Sequence, residues 1–273
     1  MSRENSFKAV SRNSHQNQTL GKINSWKYEN HVLEGMGDWG KFRLSLYENG
    51  IVRVQASRCE EFESNPYSVI AQPEATQIDF LELGDVLEIK TPELKVKIEL
   101  ENFKLTFFDS SDNLLNEDDP LSISWIGSEV SNYKKVQKGE KFIGLGEKTG
   151  NLNRAGKAYT NWNTDYFAYG VGDDPLYLSI PFYMGVHDAG SYGIFLDNTH
   201  KTVFNFGAST NRFIYYSAED GDMDYYFIHY PSPAEIIQAY TRLTGRMQMP
   251  PKWALGFQQC RYSYYPDSEV YAV

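Results

Sequence analysis

The 273-residue sequence predicts a mainly β protein built on a large antiparallel β-sandwich. Three observations predict this fold class. More than ten short runs favour strands, turn signals separate many of them, and aromatic residues make up 15% of the chain. No fixed repeat period occurs, which argues against a propeller or a solenoid. Many antiparallel strands joined by short turns favour a sandwich.

Three hairpins are predicted in the N-terminal half. Two alternating runs flank Asn49-Gly50 in "FRLSLYENGIVRVQAS", and the same pattern surrounds Gly84-Asp85 and Glu101-Asn102. Strand-like runs continue to Tyr230, and no convincing helical pattern precedes residue 232. These later runs are "LYLSIPFYMGV", "SYGIFLDN", "KTVFNFG", "FIYYSA" and "MDYYFIHY".

A helix is predicted directly after the strand-rich part, in "PSPAEIIQAYTRLTGRM". Ser232 can cap it, Pro233 suits its first position, and Glu235 completes a capping box. Gly245 is a suitable C-terminal stop. The apolar face at helical spacing consists of Ile236, Ile237, Tyr240 and Leu243.

The last residues have a different pattern. "MPPKW" breaks the chain, "WALGFQQCRYSYY" predicts a strand, and "PDSEVYAV" resembles the entry to a helix. The strand has no hairpin partner downstream of it, so it opens a βα unit rather than continuing the sandwich. We therefore expect the chain to end inside a larger structure.

Composition excludes several classes of partner. A net charge of −10 and a pI near 5.0 argue against nucleic-acid binding, which requires a basic surface. No window reaches eighteen consecutive apolar residues, so no membrane association is expected. The polar residues 1–25 lack the apolar centre of a secretory signal and predict a disordered tail. Two distant cysteines, Cys59 and Cys260, make no disulfide framework, and a cytoplasmic location is the simplest expectation.

The stretch "FIGLGEKTGNLNRAGKAYTNWNTDYF" contains glycines beside many flat rings. Its G-x-G-x-x-x-G spacing is one residue too long for a dinucleotide fingerprint, and no amphipathic helix follows. The interpretation that remains for this stretch is an irregular loop between strands. Its rings and polar side chains suit a sugar, which has apolar faces and polar edges. The alternative, rings that fill the core between two sheets, is favoured by aromatic frequency alone.

Five stretches then occur in a fixed order: "FIGLGEKTGNLNRAG", "YTNWNTD", "DPLYLSIPFYMG", "SYGIFLDN" and "PPKWALGFQQCRYSYYPDSEV". Together they resemble glycoside hydrolase family 31, the α-glucosidase family, from about residue 40 onwards. The resemblance implies a galactose mutarotase-like β-sandwich at 26–246, ending in a linking helix. It also implies the beginning of a (β/α)8 TIM barrel at 247–273, with "WALGFQQCRYSYY" as its first strand.

The resemblance further implies retaining hydrolysis of an α-linked gluco-oligosaccharide. That reaction needs two carboxylates, which in the family lie on later barrel strands. We therefore expect no catalytic residue in this chain and no hydrolysis by it alone. Trp162-Asn163-Thr164-Asp165 resembles the family's Trp-x-Asp nucleophile motif, but its spacing differs and it precedes the barrel, so we reject it.

The resemblance places substrate-binding residues in two regions. Barrel active sites lie at the C-terminal ends of strands, where Tyr264 is the first candidate, with Tyr262 and Arg261 beside it. In "WNTDYFAYGVGDDPLY", Asp165 matches the family position whose carboxylate binds sugar hydroxyls. Trp162 either stacks on a sugar or anchors this loop.

Other acidic groups are interpreted as structural. Asp173-Asp174 competes with Asp165 for the substrate-binding position, but a solvated turn before Pro175 is the favoured interpretation of this pair. Glu117-Asp118-Asp119 predicts an exposed turn before Pro120. No metal-ligand spacing is present among the five histidines, and neither a metal nor a cofactor is implied. Two alternatives to the α-glucosidase portion stay open: a stand-alone carbohydrate-binding or mutarotase-like module, and a sandwich that only braces a barrel. A homo-oligomer also stays open.

Overall fold

The structure is a computed structural model that describes residues 17–63, 67–74, 77–260 and 263–272. Strands dominate these residues. They are β1 (Gln18–Thr19), β2 (Ile23–Glu29), β3 (Val32–Gly37), β4 (Lys41–Glu48), β5 (Ile51–Ser57), β6 (Asp79–Leu83), β7 (Val86–Lys90), β8 (Leu94–Glu99), β9 (Lys104–Asp109), β10 (Leu114–Ile126), β11 (Glu129–Lys135), β12 (Lys141–Gly146), β13 (Ala158–Asn161), β14 (Ser179–His187), β15 (Gly190–Leu196), β16 (Thr202–Asn205), β17 (Phe213–Ala218) and β18 (Met223–Ile228). Helix α1 (Pro233–Thr244), a 3-10 helix (Lys252–Leu255) and the short helix α2 (Ser268–Tyr271) follow. No helix in these described ranges is both long and apolar enough to cross a membrane.

The strands form two antiparallel sheets. The first has the order β13-β16-β17-β11-β10-β9-β8-β7-β6, with β1 paired to β10, and the second has the order β12-β14-β15-β18-β5-β4-β3-β2. All three predicted hairpins are confirmed, as β4–β5, β6–β7 and β8–β9. The strand-rich sandwich predicted from the sequence is therefore the observed fold.

The main core lies between the two sheets. Phe107 of β9 stacks on Phe227 of β18 across the sandwich, with ring centroids 3.9 Å apart. Near one end of the core, Phe42 of β4 meets Phe103 at 4.6 Å. Such ring pairs bury large apolar areas, which explains why tyrosine and phenylalanine are so frequent in this sequence.

Helix α1 covers the outer face of the second sheet. Its predicted capping box is present: Glu235 N–H donates to Ser232 Oγ at 3.3 Å, and Ser232 N–H donates to Glu235 Oε2 at 3.0 Å. The buried face consists of Ile236, Ala239 and Leu243. Ile237 is instead 46% exposed, so its inclusion in the apolar face was wrong.

Three expectations about the chain ends and turns need correction. The predicted tail extends too far, because Gln18–Thr19 pairs with β10 and β2 begins at Ile23; residues 1–16 lie outside the described residues. In the predicted barrel strand "WALGFQQCRYSYY", residues 253–255 lie in a 3-10 helix and residues 256–260 form no strand, while Arg261 and Tyr262 lie outside the described residues. Asp118 and Asp119 are 0% and 2% exposed within β10, not in an exposed turn.

Acidic side chains are buried at one end of the second sheet. Asp224 in β18 accepts two hydrogen bonds from the Arg53 guanidinium, at 2.9 and 2.6 Å. Asp197, directly after β15, donates its backbone N–H to the Asp224 carbonyl at 2.8 Å and is 2% exposed. Burial, and then repulsion from Asp224, raises the pKa of Asp197 to about 7.

Asp197→Asn is expected to stabilise the protein more at pH 8 than at pH 5. The folded pKa lies above the unfolded value near 4, so the protonated group favours folding. The contribution of protonated Asp197 to the stability of the folded protein is complete below about pH 4 and is lost as the pH rises through 7. In urea unfolding, the variant's increase in the free energy of unfolding should be about 2 kcal/mol larger at pH 8 than at pH 5. Glu140, whose pKa is also raised to about 7 by burial, affects both proteins equally. Equal gains at the two pH values would contradict this account.

Candidate functional site

A backbone irregularity opens the glycine-rich stretch. Gly144, Leu145 and Gly146 have φ angles of 139°, 74° and 76°, and the pairing of β12 with β14 shifts register between the two glycines. A side chain at Gly144 would meet the Phe182 carbonyl at 2.4 Å, so no larger residue fits there. This bulge ends β12 and lets the chain leave the sheet.

The segment 147–178, called the rim loop here, is held by an internal ion pair. Lys148 Nζ lies 2.6 Å from Asp174 Oδ1 and donates to the Thr160 carbonyl at 2.6 Å, while Thr160 N–H donates to Asp174 Oδ2 at 2.5 Å. Burial lowers the pKa of Lys148, and Asp174 partly offsets that shift. Asp173 accepts the Gly170 N–H at 2.7 Å. The prediction of a solvated Asp173-Asp174 turn is therefore wrong, since both carboxylates brace the loop.

A second brace holds the glycine-rich half of the rim loop. Arg154 is 6% exposed, and its Nη1 donates to the carbonyls of Thr149 and Asn151 at 3.0 and 2.9 Å. An arginine fixes several carbonyls at once because its donors form a planar fork. The rim loop is consequently a built structure that can present side chains in fixed positions.

The aromatic residues of the rim loop mostly face outward. Tyr159 is buried at 7% exposure, as expected for a ring in the core. The others are exposed: Trp162 (53%), Tyr166 (45%), Phe167 (84%), Tyr169 (42%) and Tyr177 (41%). The core-filling interpretation therefore fails for these five rings, of which Tyr169 and Tyr177 contact each other with centroids 6.0 Å apart.

Asp165 lies among these rings. It is exposed and makes no hydrogen bond or ion pair with any described residue. Desolvation, and then the Asp165 charge, raises the pKa of Tyr177. An ionised carboxylate without protein partners can accept hydrogen bonds from a ligand.

The candidates at the C-terminal end are only partly described. Tyr264 is 36% exposed, whereas Arg261 and Tyr262 lie outside the described residues. Cys260 is exposed rather than part of a core. The 3-10 helix and the residues after it present apolar side chains to solvent: Trp253 (77%), Leu255 (70%) and Phe257 (89%).

A groove of about 370 Å³ lies at the base of the rim loop. The pairing of β13 with β16 brings Asn161 beside Thr202, and the turn before β16 adds Asn198 and His200. Sequence reasoning missed these residues because they come together only through the sheet. In the described part of the chain, no group of three or more His, Cys, Asp or Glu side chains is arranged to hold a metal ion.

Comparison with known proteins identifies the family. The model of the glycosyl hydrolase 31 N-terminal galactose mutarotase-like domain matches residues 41–205. Alpha-glucosidase 2 of Bacillus thermoamyloliquefaciens is 34% identical over 254 residues, which is 92% of this chain and 32% of that protein. An alpha-glucosidase of Saccharolobus solfataricus is 36% identical over 150 residues, 55% of this chain and 22% of that protein.

Solved structures agree. The GH31 dextranase FjDex31A of Flavobacterium johnsoniae, complexed with isomaltotriose, superposes with a TM-score of 0.86 at 37% identity. The match covers 93% of this chain and 32% of the dextranase chain. The chain thus spans about a fifth to a third of the length of these relatives. It belongs to glycoside hydrolase family 31 and corresponds to the N-terminal, mutarotase-like portion of these enzymes.

Proposed function

We propose that this chain is the non-catalytic front portion of a retaining α-glucosidase and that its rim loop binds the α-linked gluco-oligosaccharide. The observation that carries the proposal is the exposed Asp165 carboxylate, which has no partner among the described residues and lies within an exposed aromatic surface. Aromatic faces beside a hydrogen-bond acceptor suit a sugar ring. The relatives named alpha-glucosidase and dextranase support glucose-containing substrates.

The segment 252–260 is proposed to join a catalytic barrel in a longer protein. Trp253, Leu255 and Phe257 expose most of their side chains, and burying each large apolar side chain stabilises a protein by about 1.5–3 kcal/mol. A barrel strand at this position would bury them and would bring Tyr264 to the sugar pocket. Helix α1 would then link the sandwich to the barrel.

The 273-residue chain alone is expected to release no glucose from maltose, isomaltose or a chromogenic α-glucoside, because the proposed carboxylate pair belongs to the barrel. Glucose release should be compared with a heat-killed control. The longer protein is expected to hydrolyse at least one of these substrates, with retention at the anomeric carbon seen by proton NMR. Hydrolysis by the purified chain above the control would contradict the non-catalytic role.

A further inference from the structure

The part of the rim loop that contains Asp165 is a closed stretch of chain whose two ends meet at one side chain. Lys148 Nζ donates to the Thr160 carbonyl at 2.6 Å and to Asp174 Oδ1 at 2.6 Å. The two ends also contact each other, because the Thr160 N–H donates to Asp174 Oδ2 at 2.5 Å. Residues 160–174 therefore form a smaller loop within the rim loop, closed by an ion pair, and Asp165 lies inside it.

Lys148 is itself fixed to the second sheet. It follows the end of β12 at Gly146, and the N–H of the intervening Glu147 donates to the Leu178 carbonyl at 2.9 Å. Arg154 Nη2 donates to the Lys148 carbonyl at 3.4 Å. The ammonium group consequently connects the closed stretch to the sheet at the point where the chain leaves β12.

The carboxylate of Asp165 has no contact of its own that fixes its position. It makes no hydrogen bond or ion pair with any described residue, so the backbone on either side must hold it in place. Directly before it, the Thr164 N–H donates to the Leu176 carbonyl at 2.9 Å. This bond joins the limb before Asp165 to the limb after it, and Lys148 joins the same two limbs. The position of the carboxylate therefore depends on the ion pair.

Lys148 cannot bind the substrate itself, because its side chain is 0% exposed. An ion pair removed from water adds little net stability, since the loss of hydration opposes the attraction. It differs from an apolar filler in directing charge-assisted hydrogen bonds at particular oxygen atoms. A buried lysine at the junction of the two limbs is therefore suited to fixing their geometry rather than to adding stability.

We propose that Lys148 is a positioning residue for substrate binding, which rests on the proposed sugar-binding role of Asp165. Lys148 holds the two limbs so that the Asp165 carboxylate stands where a sugar hydroxyl meets it. A displacement of about 1 Å can lower catalytic efficiency by up to about a hundredfold. If Lys148 acts through Asp165, its loss matters only while the Asp165 carboxylate is present. A brace that only stabilises the fold would not show this dependence.

The test is a double-mutant cycle in the longer protein, with kcat/KM measured for whichever of maltose and isomaltose is hydrolysed faster. Lys148→Met keeps an unbranched side chain and removes the charge and the donors. It is expected to lower kcat/KM about tenfold when Asp165 is present. In the Asp165→Ala background, the same change is expected to lower kcat/KM by less than about twofold, because coupled residues are not additive.

The matched control removes the buried lysine–aspartate pair of the sandwich core. Lys134 Nζ lies 2.6 Å from Asp118 Oδ1, the same distance as in the ion pair of the rim loop. Its other hydrogen bond is to Tyr225 of β18, which also lies outside the rim loop. The double variant Lys134→Met with Asp118→Asn is therefore expected to leave kcat/KM within about twofold of the unmodified protein. Thermal unfolding establishes that each variant is folded at the assay temperature.

If Lys148→Met does not fold, Asp174→Asn takes its place in the cycle, since it removes the same ion pair and keeps an oxygen for the Thr160 N–H. An unchanged kcat/KM in the variant would overturn the positioning role. So would a loss of equal size with and without the Asp165 carboxylate. Both results leave the proposed function standing, whereas an unchanged kcat/KM in Asp165→Ala alone would overturn the positioning role and the proposed function together.

Discussion

Lys134→Met is expected to lower the free energy of unfolding by about 3–5 kcal/mol, because it leaves a buried acid without its partner. Lys134 of β11 is fully buried, and its Nζ lies 2.6 Å from Asp118 Oδ1 and 3.2 Å from the Tyr225 hydroxyl. Burial lowers the pKa of Lys134 and raises that of Asp118, and the attraction between them opposes both shifts. Urea unfolding of the chain measures the loss.

The double variant Lys134→Met with Asp118→Asn is the control. The asparagine Oδ1 can still accept the Leu105 N–H that Asp118 accepts at 2.8 Å, and no charge then remains buried at this position. Most of the lost stability is therefore expected to return in the double variant. Replacing both members of a buried ion pair by uncharged residues of similar shape often changes stability little. If Lys134→Met alone lowered the free energy of unfolding by less than about 1 kcal/mol, that result would contradict a structural role for the pair.

Asp165→Ala in the longer protein is expected to lower kcat/KM by about ten- to a hundredfold. A hydrogen bond to a charged group contributes about 1.5–3 kcal/mol, and each 1.4 kcal/mol is a factor of ten. The melting temperature should change little, because Asp165 is exposed and makes no hydrogen bond or ion pair in the described structure. Steady-state kinetics and thermal unfolding on one protein preparation measure both quantities.

The matched control is Asp173→Ala, eight positions later on the same loop. Asp173 braces the rim loop through the Gly170 N–H, so its loss should disturb loop order and stability as well as activity. If Asp165 were a brace of the same kind, the two variants would behave alike. An unchanged kcat/KM in Asp165→Ala would end its proposed role in substrate binding.

Local signals made much of the fold predictable. The Asn49-Gly50 turn and the Ser232 cap each need only neighbouring residues, so their elements could be located within a few positions. The order of strands in the two sheets could not be predicted, because β13 pairs with β16 and β5 with β18 across long stretches of chain.

The errors share a physical cause. Asp118 lies two residues before Pro120 and Asp174 directly before Pro175, a pattern that resembles a solvated turn. Each is nevertheless paired with a lysine that the sheet or the loop brings close. Such partners lie sixteen and twenty-six residues away, beyond what local patterns report. The groove at the base of the rim loop was missed for the same reason. The segment from Trp253 was predicted as a strand, and a strand forms only where a neighbour completes its hydrogen bonds.

The most direct test of the central claim, that the sandwich presents a substrate-binding loop, is a crystal structure of the longer protein with isomaltotriose bound. The account predicts an Asp165 carboxylate oxygen within about 3.2 Å of a sugar hydroxyl at the barrel mouth. A rim loop that packs away from the occupied sugar site, with Asp165 contacting only solvent or protein, would contradict it.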